Sequence, residues 1–96
     1  MQTIEEQARA LLNPVLGECV RQRTEAGVRK YGQTLDENEQ PQREKAIHLI
    51  QELLDACQYA LWMGHEYTAT LCATIASDTQ QTFKLTAEEI MAGGKQ

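Results

Sequence analysis

Residues 43–63, REKAIHLIQELLDACQYALWM, carry the strongest helical period in the chain. At about 100° per residue, Ala46, Ile50, Leu53, Leu54, Cys57, Ala60 and Leu61 fall on one stripe, wide enough to face a core. The spacing predicts a helix of about five to six turns. Pro41 suits its entry, and Gly64 suits a left-handed residue just past its end. The opposite side holds His48, Glu52, Asp55, Tyr59 and Trp62. A Trp and a Tyr so close together on an exposed side predict a second buried surface, either a self-association interface or a ligand site. The alternative is a solvated face with two isolated aromatics.

Around this segment the chain reads as further short elements. Thr3 caps a helix over residues 3–12, with Glu5 and Glu6 in its positive first turn and Ile4, Ala8, Leu11 and Leu12 on its apolar side. Asn13-Pro14 interrupts it, and Pro14 opens a second helix to about residue 30. There Leu12, Leu16, Cys19 and Val20 start a stripe that runs on to Arg23 and Gly27. An arginine on such a line needs a partner or an edge position from which to reach water. Gly27 would admit another backbone or a ligand. Tyr31-Gly32 closes this helix, and residues 33–42 form a polar connection with Leu35 as its anchor.

The C-terminal third is ambiguous. In 67–75, YTATLCATI, every position fits a period of two, and the threonines favour a strand. Tyr67, Leu71 and Ile75 also fit a helical row. The favoured expectation is a β-hairpin, with a turn at Ser77-Asp78-Thr79 and a returning strand at Thr82-Phe83-Lys84-Leu85; a fourth long helix is the alternative. Thr86 to Glu89 is a capping box opening a last short helix through Met91, stopped by Gly93-Gly94. The fold class expected is mainly α: a helical-hairpin core assembled into an oligomeric bundle, with a C-terminal β-hairpin and a short terminal helix. An all-α four-helix arrangement is the alternative.

Ninety-six residues suggest a single domain over 1–96, with a core small enough that association between copies is a natural way to add buried area. No apolar run reaches membrane-spanning length, and no basic segment followed by an apolar stretch opens the chain, so a cytoplasmic protein is expected. Three widely spaced cysteines, Cys19, Cys57 and Cys72, fit neither a disulfide framework nor a zinc knuckle and read as small buried thiols. The net charge of −5 argues against general nucleic-acid binding. Arg21, Arg23, Arg29 and Lys30 still gather closely enough for a local anion site.

Glu52 and Asp55 form an ExxD pair, one turn apart on one helix face, where both carboxylates can reach one divalent cation. Hard oxygens with open positions suit Mg²⁺, which keeps waters and binds substrate phosphates. Arg29-Lys30-Tyr31-Gly32, Leu35, Glu52-Leu53-Leu54-Asp55-Ala56 and Tyr59-Ala60-Leu61 together resemble small phage and bacterial relatives of the MazG-like all-α nucleotide pyrophosphohydrolases. The resemblance covers about residues 21–62. It implies a helical bundle completed by oligomerisation and a Mg²⁺ site that joins an ExxE on one helix to an ExxD on the next. Glu52 and Asp55 match the ExxD. In place of the ExxE, the preceding helix has Glu18 and Glu25, which share a face seven residues apart.

Three functions follow as expectations. The first is a divergent MazG-like pyrophosphohydrolase acting on a dNTP or NTP. Glu52 and Asp55 would be catalytic and hold Mg²⁺, Glu18 or Glu25 would assist as metal ligands, and Arg23, Arg29, Lys30 and Tyr31 would bind the nucleotide. The second is a non-catalytic, sponge-type binder without a cofactor. It would sequester a nucleotide-derived signal, such as a cyclic nucleotide, at a subunit interface. There Arg29 and Lys30 would give charge-assisted donors and Tyr31 a stacking ring. The third is an oligomeric interaction protein without a ligand. His48 reads as a surface histidine paired with a carboxylate, and His65 lacks companions at metal-ligand spacing.

Overall fold

A computed structural model describes residues 1–93, which form five helices and, among those residues, no strand. Two compact units divide the chain, Met1–Glu39 and Gln40–Gln96.

The first unit begins with α1, Ile4–Leu11. The Thr3 hydroxyl accepts from the Glu6 amide, and the Glu6 carboxylate accepts from the Thr3 amide, completing a capping box. Asn13 then caps α2, Pro14–Tyr31, by accepting from the Leu16 amide at 3.0 Å, while Pro14 takes the first turn, where no amide donor is needed. Gly32 closes α2 as expected, in a left-handed turn at φ 78°. Gly17 is buried against the aliphatic part of Arg9, whose Cβ would lie 3.8 Å from an added methyl. The Ile4 amide donates to Asp36 at 3.0 Å and so returns the turn after α2 to the start of α1.

The second unit is a helical hairpin closed by a short third helix. α3 spans Gln42–Trp62, with Pro41 at its entry as expected. A Schellman motif ends it: the His65 amide donates to the Ala60 carbonyl at 2.8 Å, the Gly64 amide to Leu61 at 3.0 Å, and Gly64 has φ 80°. The short connection sends α4, Glu66–Phe83, back along α3. Ala60 of α3 and Ala69 and Ala76 of α4 are buried, so the pair meets through small side chains. α5, Ala87–Ala92, folds back on α3 behind the predicted Thr86–Glu89 capping box. Gly93 follows it as expected, and Gly94 lies outside the described residues. The core gathers Ala46, Ile47, Ile50 and Leu85, with Phe83 and Ile90 against them.

The expected β-hairpin is overturned: residues 67–83 are helical, and Ser77-Asp78-Thr79 lies inside α4. Alternation and helical spacing both fit this stretch, and packing decides between them. Ala69 and Ala76, seven apart, share one helix face and let α4 approach α3 closely, which a strand would not permit. The threonines that favour a strand are accommodated by bonding back along the helix. Thr74 Oγ1 donates to the Thr70 carbonyl and Thr79 Oγ1 to Ile75, each at 2.8 Å. Residue 85 does not belong to a returning strand; Leu85 is the buried residue of a second Schellman motif. Its amide donates to Gln80 at 3.0 Å, and Lys84 carries the left-handed turn at φ 51°.

Three smaller expectations change as well. Arg23 is exposed and off any core line, and nothing approaches within 4 Å of the place where a Gly27 side chain would stand. Cys19 is exposed, and Cys57 and Cys72 are half-buried. On α3 the inward stripe narrows: Ala46, Ile50 and Ala60 are buried and Leu53 and Cys57 half-buried, but Leu54 and Leu61 are exposed and Ile47 joins the core.

Candidate functional site

Glu52 and Asp55 sit where the ExxD spacing predicts, one turn apart on the exposed side of α3. Neither is engaged in an ion pair or hydrogen bond among the described residues. Tyr59 follows one turn later, and Trp62 is 85 % exposed at the helix end. One face of one helix therefore offers two hard oxygen ligands and two rings. His48, a turn before Glu52, is half-buried and engaged.

The other predicted residues belong to the first unit. Glu18 and Glu25 do share a face of α2, as their spacing implies, and Arg21 occupies the space between them. Arg21 Nε and Nη2 donate to Glu18 at 2.9 and 2.6 Å, and Nη1 donates to Glu25. Gln22 adds a further donor to Glu18 at 2.9 Å. These donors, Arg21 first, pull the Glu18 carboxyl down to about 2. A carboxylate pair clamped by a guanidinium is a poor metal site, because the cation's charge would have to displace an arginine already in place. Within each unit, no three His, Cys, Asp or Glu side chains among the described residues are grouped to hold a metal ion.

Arg23 is exposed in the middle of α2, and Arg29 and Lys30 lie in its last turn. Cations there offset the negative end of the helix dipole. The Lys30 ammonium stands 5.2 Å from the Tyr31 ring centroid, a cation–π contact that leaves the ring exposed. Arg29, Lys30 and Tyr31 are thus brought together at one helix end, while Arg23 stands about two turns away.

Arg21 was missed as a structural clamp, although its signal is legible: it lies three residues after Glu18 and four before Glu25. Also missed is an open cleft of about 490 Å³ between α1 and α2, lined in part by Glu6, Arg9, Asn13 and Glu18. Arg9 is held there by Glu5 at 3.2 Å. No helix among the described residues is long and apolar enough to cross a membrane. Comparison with protein-family models, curated proteins and solved structures finds no match to this chain.

Proposed function

We propose that this chain is the subunit of a helical homo-oligomer that acts on a phosphorylated nucleotide, as its resemblance to the MazG-like pyrophosphohydrolases implies. The observation that carries this reading is the Glu52–Asp55 pair, exposed, unengaged among the described residues and one turn from Tyr59 on α3. Two carboxylates are an adequate protein share for Mg²⁺, which fills its remaining positions with water and substrate phosphate. When bound there, the ion would neutralise phosphate charge and lower the pKa of a bound water. Glu52 and Asp55 fix its position, and Tyr59 offers a ring on which a base can stack. Assembly from several copies belongs to the same reading, because one copy supplies half of the carboxylates that the resemblance implies.

One observation favours a second reading. Arg21 holds both Glu18 and Glu25, which removes the acids expected to complete the metal site. On that reading the protein captures a nucleotide-derived signal without turning it over, and Arg29, Lys30 and Tyr31 make the contacts. Isothermal titration with dNTPs and with cyclic dinucleotides, each with and without Mg²⁺, separates the two. Heat that requires Mg²⁺ and comes with product release is the result expected of the pyrophosphohydrolase. Metal-independent binding without product would replace it with the binder, and silence under every condition would overturn both.

A further inference from the structure

Cys57 and Cys72 are half-buried, one on each helix of the α3–α4 hairpin. Of the described residues 66–78, those shielded from water are Ala69, Cys72 and Ala76. The helix packed against α4 is α3, so these three mark the line on which the two helices meet. On α3 the matching line runs through Leu53 and Cys57, both half-buried, to the buried Ala60. Both lines advance by alternating steps of three and four residues, the repeat of paired helices that interlock along a seam.

Two fixed points set the register of that seam. At the closed end, the His65 amide donates to the Ala60 carbonyl and the Ala69 amide to the His65 carbonyl, so Ala60 and Ala69 flank the connection together. At the open end, Phe83 packs against the core cluster that holds Ala46. Antiparallel helices rise equally per residue, so facing partners step away from the connection in pairs. Three residues back from Ala60 is Cys57, and three on from Ala69 is Cys72. The same stepping, continued along α4 to Phe83, arrives at Ala46 on α3, as the packing at the open end requires. We infer that Cys57 and Cys72 face each other in one layer of the seam, as a dithiol pair that a small-molecule disulfide oxidises reversibly to a Cys57–Cys72 bond.

The layers on either side of the pair contain Ala60, Ala69 and Ala76. Such small side chains bring helix axes to the near end of their usual separation, about 8 Å, which leaves facing Cα atoms roughly 4–6 Å apart. A disulfide forms where Cα atoms stand about 4.4–6.8 Å apart, so closure needs no rearrangement of the helices. With oxidised glutathione as the oxidant, one cysteine thiolate attacks a glutathione sulfur and expels the first glutathione thiolate. The second cysteine then attacks the protein sulfur of that mixed disulfide and expels the other. Two electrons pass to the oxidant, the two cysteine protons end on two glutathione thiols, and an excess of reduced glutathione reverses both steps. Cys19 belongs to the first unit and takes no part. Closure fastens to α4 the half of α3 that carries Asp55, Tyr59 and Trp62, and it stands independently of the nucleotide chemistry proposed above.

Equilibration of the full chain with mixtures of reduced and oxidised glutathione tests this, read by intact mass, peptide mapping without reduction, and melting temperature. Wild type should lose about 2 Da, two hydrogen atoms, in an internal bond mapped to Cys57 and Cys72. It should also melt higher, because the bond closes a loop of about 15 residues in the unfolded chain. Cys19→Ser should behave alike, while Cys57→Ser and Cys72→Ser should stop at mixed disulfides with glutathione. The equilibrium constant for closure in wild type should be at least about tenfold larger in native buffer than in concentrated urea, because the fold holds the two thiols together. Glutathione retained on both Cys57 and Cys72 of wild type, an internal bond to Cys19, or an equal constant in urea would each overturn the pair.

Discussion

Arg43 at the start of α3 and Glu89 in α5 form a two-pronged ion pair across 46 residues of sequence, with Nε donating to Oε2 and Nη2 to Oε1, each at 2.8 Å. The same guanidinium donates from Nη1 to the Phe83 carbonyl at 2.6 Å, so one side chain joins the first turn of α3, the last carbonyls of α4 and the first turn of α5. Gln51 performs the matching task at the other end of α5. Its amide donates to the Ile90 and Gly93 carbonyls at 2.7 Å each, satisfying acceptors that the helix end leaves open. α5 is thus pinned at both ends over a core whose large members are few, with Ile50 at 1 % exposure the largest side chain fully out of water.

Replacing Arg43 with alanine should lower the stability of the second unit by about 1–2 kcal/mol. Charge-assisted hydrogen bonds are worth more than this when buried, but the pair is partly exposed and screened. A double-mutant cycle of Arg43→Ala and Glu89→Ala, read by chemical denaturation, should show a small favourable coupling, as expected of a solvent-screened pair. Strictly additive losses would show that the pair contributes nothing.

The pH dependence follows from Glu89. Its carboxyl is held below the usual carboxylate value first by the Thr86 amide and then by Arg43. A carboxyl lowered on folding stabilises the folded state above its unfolded pKa, and that contribution disappears as pH falls through the lowered value. Glu6, Glu18 and Glu37 are lowered as well and add acid lability of their own. The comparison should therefore be between wild type and Glu89→Gln. Thermal melts from about pH 6 to about pH 3 should converge for the two proteins at the acid end. A constant gap would separate Glu89 from the acid response.

Two backbone positions give opposite signs. Lys84 adopts φ 51° at the end of α4, a geometry in which glycine is unstrained, so Lys84→Gly should raise stability by about 1 kcal/mol. Gly93→Ala should lower the melting temperature, because its methyl would stand 2.8 Å from Ile47 Cγ2 and 3.0 Å from the Glu89 carbonyl. Ile47 is a buried core residue, so the clash cannot be relieved by swinging a side chain into water. Differential scanning calorimetry of both variants reads the two signs directly.

The helix starts and stops were legible because each has a local cause: Thr3, Thr86 and Glu89 in capping boxes, Pro41 at an entry, and Gly32 and Gly64 in left-handed turns. What failed was decided at a distance. Residues 67–75 satisfy both periods, and only the packing of Ala69 and Ala76 toward α3 selects the helix. The Arg43–Glu89 pair has no local signal at all. Among the candidate site residues, the outward placement of Glu52 and Asp55 followed from the stripe on the other side of α3. The shared face of Glu18 and Glu25 was read correctly, but the arginine between them was not, and it is Arg21 that changes what those acids can do.

The most direct measurement is Mg²⁺-dependent release of pyrophosphate from a panel of dNTPs by wild type and by Glu52→Gln. Glu52 is exposed and unengaged among the described residues, so the variant should keep the melting temperature and subunit mass of wild type while its turnover falls to background. Release by wild type that requires Mg²⁺ and vanishes in Glu52→Gln is the predicted result. Equal release by the two proteins, or none by wild type with any dNTP, would contradict it.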